Sequence, residues 1–95
     1  MNDYLSSLFS LDGRTAIVTG GSSGIGRGIA TALARAGAAT VVVARGEDRI
    51  RETVDELRAH GCRAAGVVGD LGTRDGIRAV AEAAEVPFGE PDILV

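Results

Sequence analysis

Thr15-Ala16-Ile17-Val18-Thr19-Gly20-Gly21-Ser22-Ser23-Gly24-Ile25-Gly26 is the stretch on which the reading of the fold turns. Its first five residues are apolar or β-branched with no polar alternation, the pattern of a strand covered on both faces. A Gly/Ser turn follows, and a helical period opens at Ile25. Such a junction needs glycine for two physical reasons. The tight turn demands backbone angles that a Cβ resists. A pyrophosphate must also come close to main-chain N–H groups at the helix start, where unpaired donors and the helix dipole favour negative charge. Gly20, Gly24 and Ile25 supply that turn and helix start. Gly26, in the first helical turn, lets helix and strand pack closely. Ser22 and Ser23 add hydroxyl donors for phosphate or ribose. The competing reading is a Gly/Ser turn with no ligand; the strand before and the helix after favour phosphate.

Outward from this turn the chain alternates strand and helix. Ile25, Ile29, Leu33 and Ala36 recur at i, i+4, i+8 and i+11, and Gly37 supplies the stop. Thr40 to Ala44 is a second strand with Val on both faces. A second helix spans Glu47 to Ala59, with Ile50, Val54 and Leu57 as its buried stripe, acids in its first turn and Gly61 at its end. Ala64 to Val68 is the third strand. Thr73 is the expected N-cap of a third helix that carries Ile77, Val80, Ala81 and Ala84 inward. Pro87 and Gly89 mark a loop, and Ile93-Leu94-Val95 opens a fourth strand. The order βαβαβαβ implies an α/β fold, a doubly wound parallel sheet of Rossmann type with strand order 3-2-1-4. The first two helices would cover one sheet face. The third would only partly cover the other, leaving apolar sheet bare and the fourth strand with an unpaired edge. Residues 1–95 are therefore expected to be the N-terminal part of a single domain, truncated before its second half.

Composition narrows the function. The chain has 95 residues, 45% hydrophobic and 24% charged, the balance of a soluble globular protein. A net charge of −3 offers no basic footprint for nucleic acid or anionic lipid. All ten basic residues are Arg, which reads as coding bias. Cys62 is the sole cysteine, so no internal disulfide forms and a cytoplasmic setting is the default. Met1 to Phe9 lacks the basic start and apolar run of a signal peptide. No apolar stretch approaches the roughly 20 residues that span a bilayer, so no membrane partner is expected.

The spelling of the glycine turn is more specific than a general dinucleotide-binding pattern. Thr-Gly-x-x-x-Gly-Ile-Gly over residues 19–26 resembles the short-chain dehydrogenase/reductase family. Leu11-Asp12-Gly13-Arg14 is similar to that family's lead-in, and Pro91-Asp92-Ile93-Leu94-Val95 to its fourth strand. Gly69-Asp70-Leu71 resembles its adenine-side motif, which implies that Asp70 hydrogen-bonds near the adenine and Leu71 lines its pocket. The resemblance implies hydride transfer between a nicotinamide cofactor and a carbonyl/alcohol pair, a small-molecule substrate bound only by a full-length parent, and a homo-oligomeric parent. The family's chemistry uses a Tyr-x-x-x-Lys helix with a nearby Ser and Asn. None of these carries over: the only tyrosine is Tyr4, there is no lysine, and no residue of this chain is a catalytic candidate. The 95 residues alone are expected to be inactive.

Cofactor choice is read at the end of the second strand, where an acid would bind the ribose hydroxyls of NAD. Here Ala44 is followed by Arg45, whose planar guanidinium suits a 2′-phosphate. NADP(H) is thus favoured over NAD(H), although Ser23 stands where many NADP-preferring members of the family carry a second basic residue. Two alternatives stay open: Arg45 could solvate a loop or pair with Glu47 or Asp48. Asp70 could equally cap the turn before Thr73. His60 suits a helix C-terminus, Cys62 a small apolar site, and the acids from Glu47 to Glu56 a solvated face interleaved with Arg49, Arg51 and Arg58. No Cys/His/acid cluster has metal-ligand spacing. The reading is the cofactor-binding portion of an NADP(H)-dependent oxidoreductase. Its rivals are a non-catalytic nucleotide-binding or regulatory protein and a defunct truncated product.

Overall fold

In the computed structural model, which describes residues 10–20 and 24–95, four strands form one parallel sheet in the order β3-β2-β1-β4. The elements run β1 (Thr15–Thr19), α1 (Gly24–Arg35), β2 (Ala39–Ala44), α2 (Glu47–Ala59), β3 (Ala64–Val68), α3 (Arg74–Phe88) and β4 (Ile93–Leu94). Strand order and element order are those the sequence predicts. Ile17 pairs with Val41 and Val18 with Val42, while Val43 pairs with Val67, so same-parity valines stack across the sheet. That parity makes two cores. Val18 and Val42 meet Ala30, Ala34, Ile50, Val54 and Leu57 beneath α1 and α2. Ile17, Val41, Val43 and Val67 meet Val80 and Ala84 beneath α3. Continuous β-branched strands are thus explained by helices on both faces.

Two helices bury only part of the face predicted. In α1 the buried residues are Ala30 and Ala34, with Ile29 and Leu33 partly buried against them. Ile25, in the first turn of α1, is 84% exposed. Ala36 lies past the end of the helix, where Gly37, at φ +110°, turns the chain toward β2. In α3, Val80 and Ala84 are buried but Ile77 and Ala81 are exposed. They face β4 along an apolar groove of about 400 Å³ shared with Ile17, Leu71, Pro91 and Leu94, which no other helix among the described residues covers.

Pro87 belongs to a helix, not to a loop. α3 continues through it to Phe88, which packs on the second core, and Gly89 at φ +84° closes the turn by donating its N–H to the Glu85 carbonyl at 2.8 Å. A proline this close to a helix end forfeits one hydrogen bond, and its fixed φ is already helical. Thr73 caps the other end as predicted, its hydroxyl accepting from the Gly76 amide at 3.0 Å.

Two further contacts fix the layers. Arg27 on α1 pairs with both Glu52 and Glu56 on α2, and its guanidinium pKa is raised above the ordinary value chiefly by the Glu56 hydrogen bond. Gly66, in the middle of β3, sits directly under Ile50, and a Cβ there would collide with the isoleucine's Cγ2. Gly66→Ala is accordingly expected to destabilise the chain by about 1–3 kcal/mol through overpacking, read as a lower urea midpoint. An unchanged midpoint would show that α2 shifts outward freely.

β4 is short, and side chains assist its pairing. Ala16 pairs with Ile93 and Ile17 with Leu94. Asp92 exchanges two bonds with Thr15: its amide donates to the Thr15 carbonyl at 2.8 Å, and its Oδ2 accepts from the Thr15 amide at 2.9 Å. The Val95 carbonyl accepts from both the amide and the hydroxyl of Thr19, at 3.0 and 2.8 Å.

Candidate functional site

All four strands are parallel, so the segments leaving β1, β2 and β3 emerge at one edge of the sheet. In open α/β sheets ligands bind in the crevice at that edge, where the strand order reverses. Here the reversal falls at β1, flanked by β2 on one side and β4 on the other. Gly20 leaves β1 at φ +66° and donates its N–H to the Val43 carbonyl at 2.7 Å, tying the turn to β2. Gly24 opens α1 at φ +51°. Both angles lie in the left-handed region that the sequence reading assigned to the glycine turn.

A cleft of about 660 Å³ lies across these strand ends. Gly20 lines it from β1, Ala44 and Arg45 from the end of β2, and Asp70 and Leu71 from the segment after β3. Its volume is that of a small-molecule or cofactor site. Gly69 binds back to the sheet through its N–H to the Ala44 carbonyl at 3.0 Å, so the segments after β2 and β3 are held together. Glycines 46, 69 and 72 also border the cleft, and a Cβ on Gly69 would collide with Val80 of α3.

The structure thus brings together four of the residues singled out in the sequence: Gly20, Arg45, Asp70 and Leu71. Gly24, Ile25 and Gly26 form the start of α1 and are not among the residues bordering this cleft. Ser22 and Ser23 lie outside the described residues. Among the described residues no acid forms an ion pair with Arg45; Glu47 pairs instead with Arg51 at 3.2 Å. Asp70 does hold its own turn, with Oδ1 accepting from the Gly72 amide at 2.8 Å, and it also borders the cleft. Both readings of Asp70 are compatible with that geometry.

Sequence reasoning missed Arg49, which borders the same cleft from the first turn of α2. Its spacing of four from Arg45 was the available signal, hidden among alternating acids and arginines. His60 and Cys62 stay structural. His60 caps α2, with its Nδ1 2.9 Å from the Glu56 carbonyl, and Cys62 is half-buried against the first core. No group of acids, histidines and cysteines among the described residues could hold a metal ion, and no described helix is long and apolar enough to cross a membrane.

A glycine turn entering a helix, at the reversal point of a doubly wound parallel sheet and beside a nucleotide-sized cleft, defines a dinucleotide-binding class of protein. The model of the short chain dehydrogenase family matches residues 14–95, and the chain belongs to the short-chain dehydrogenase/reductase family. A short chain dehydrogenase of Pseudocercospora fijiensis is 45% identical over 85 residues, covering 90% of this chain and 28% of that protein. The crystal structure of a hydroxysteroid dehydrogenase from Escherichia coli superposes with a TM-score of 0.89 at 37% identity, over 94% of this chain and 38% of that one. L-sorbose reductase from Gluconobacter frateurii, crystallised with NADPH and L-sorbose, gives a TM-score of 0.85 at 41% identity, over 90% and 33% respectively. The chain spans about a third of the length of these relatives. It corresponds to the N-terminal portion of a short-chain dehydrogenase.

Proposed function

We propose that residues 1–95 are the N-terminal cofactor-binding portion of an NADP(H)-dependent oxidoreductase acting on a carbonyl/alcohol pair. The observation that carries this reading is the cleft that gathers Gly20, Arg45, Asp70 and Leu71 at one edge of the sheet. The bound nicotinamide would supply the hydride. This chain's own residues bind and orient. Amides of the turn from Gly20 to Gly26, with the Ser22 and Ser23 hydroxyls, hold the pyrophosphate, Asp70 and Leu71 receive the adenine, and Arg45 takes the 2′-phosphate. The NADPH held by the L-sorbose reductase supports the phosphorylated cofactor. None of the 95 residues is assigned a catalytic role, and by themselves they are inactive. The small-molecule substrate, the homo-oligomer and the cytoplasmic setting belong to the same proposal.

Equilibrium titration of the full-length polypeptide with NADPH and with NADH, followed by nucleotide fluorescence, tests it. NADPH should bind at least about tenfold more tightly, the worth of one charge-assisted contact. Binding without NADPH oxidation across a panel of ketones and aldehydes would favour a nucleotide-binding regulator instead. No affinity for either nucleotide overturns both readings.

A further inference from the structure

We infer that Arg49 is a second anchor for the phosphomonoester of the bound dinucleotide, acting with Arg45 from a different structural element. This rests on the cofactor reading above and adds to it a residue that sets selectivity. Arg45 leaves the end of β2, whereas Arg49 stands on α2, yet both border the same cleft. The rotation of α2 is fixed by its buried face. Ile50, next to Arg49, is 5% exposed and Thr53 is 1% exposed, with the Thr53 hydroxyl donating to the Arg49 carbonyl at 2.9 Å. Arg49 is therefore held at the cleft by the packing of its neighbours.

Charge in the cleft is unbalanced. Among the described residues the acid bordering it is Asp70, whose Oδ1 already accepts from the Gly72 amide. Glu47, in the same turn as Arg49, is engaged by Arg51, and no ion pair among the described residues includes Arg49. Two arginines and one aspartate thus border the cleft. A phosphomonoester carries close to two charges and three acceptor oxygens, more than one planar guanidinium satisfies, since its fork engages two. A second fork from another direction takes the third oxygen and the remaining charge. A ribose hydroxyl, uncharged, gains nothing from it.

The experiment is calorimetric titration of the full-length polypeptide with adenosine 2′,5′-bisphosphate and with 5′-AMP, in the wild type, R49Q, R49K and R78Q. R49Q should weaken the bisphosphate by about tenfold, as for one charge-assisted contact, and leave 5′-AMP unchanged. R49K should fall between, because an ammonium keeps the charge and loses the fork. R78Q, an equal loss of charge on α3 at a residue that neither borders the cleft nor joins an ion pair among the described residues, should match the wild type. Arg49 has no such role if R49Q retains wild-type affinity for the bisphosphate, if R49Q weakens both ligands alike, or if R78Q weakens the bisphosphate as much as R49Q does. A wild type that binds the two ligands equally overturns the NADP reading itself, and the Arg49 role with it. Both failures are therefore separable.

Discussion

Gly20→Val should weaken NADPH binding at least about a hundredfold, roughly 2.7 kcal/mol, while the protein keeps a cooperative urea transition. Gly20 has φ +66°, where a side chain is strained by about 1–3 kcal/mol. Steric cost adds little to that strain, because a Cβ at this position meets no atom of the described residues within 4 Å apart from its chain neighbours. The open space it would fill is the cleft that Gly20 borders. A branched side chain there occupies the volume through which a pyrophosphate approaches the turn amides. The variant thus separates two reasons for having glycine, backbone conformation and ligand clearance. Loss of binding with a retained melt favours clearance. Full affinity in Gly20→Val would remove the cofactor from this edge of the sheet.

Arg45→Asp should shift the ratio of kcat/KM for NADPH over NADH by a hundredfold or more toward NADH, about 3 kcal/mol. Two effects act in the same direction. The guanidinium proposed to pair with a 2′-phosphate is lost, and a carboxylate that would repel it is introduced, while the same carboxylate would accept hydrogen bonds from an unphosphorylated ribose. Stability should change little, since Arg45 is exposed and takes part in no ion pair among the described residues. An unchanged ratio would leave Arg45 as a solvated loop residue. Gly20→Val tests whether a dinucleotide binds here, and Arg45→Asp which one.

The parts of the fold legible in the sequence are those set by local chemistry. β1, β3 and α2 have the bounds their β-branched runs, acidic first turn and closing glycine predict, and Thr73 caps α3 because a side-chain oxygen in extended backbone is all a cap requires. Helix faces were harder to read. A period of 3.6 says that an apolar stripe exists, but which of its members become buried depends on what lies opposite. Ile25 is left exposed at the start of α1, and Ile77 and Ala81 face a groove with nothing over it among the described residues. Pro87 misled for a related reason: its effect depends on distance from a helix end that Phe88 and Gly89 determine. Of the residues bordering the cleft, Gly20 and Arg45 were singled out because each directly follows a strand, and Asp70 and Leu71 because Gly69-Asp70-Leu71 resembles a family motif. Arg49 was not, because its spacing of four from Arg45 is hidden in an alternating run of acids and arginines.

The seam between β1 and β4 has a consequence for biosynthesis. The bond from Thr15 to Asp92 joins residues 77 positions apart, whereas β1 meets β2 after a single helix. On the ribosome, therefore, the first strand translated gains one neighbour early and cannot gain the other until the Asp92 codon has been read. During that interval its open edge offers main-chain groups to any nascent chain nearby. Asp92, with two bonds to Thr15 of its own, is the residue that ends this exposure.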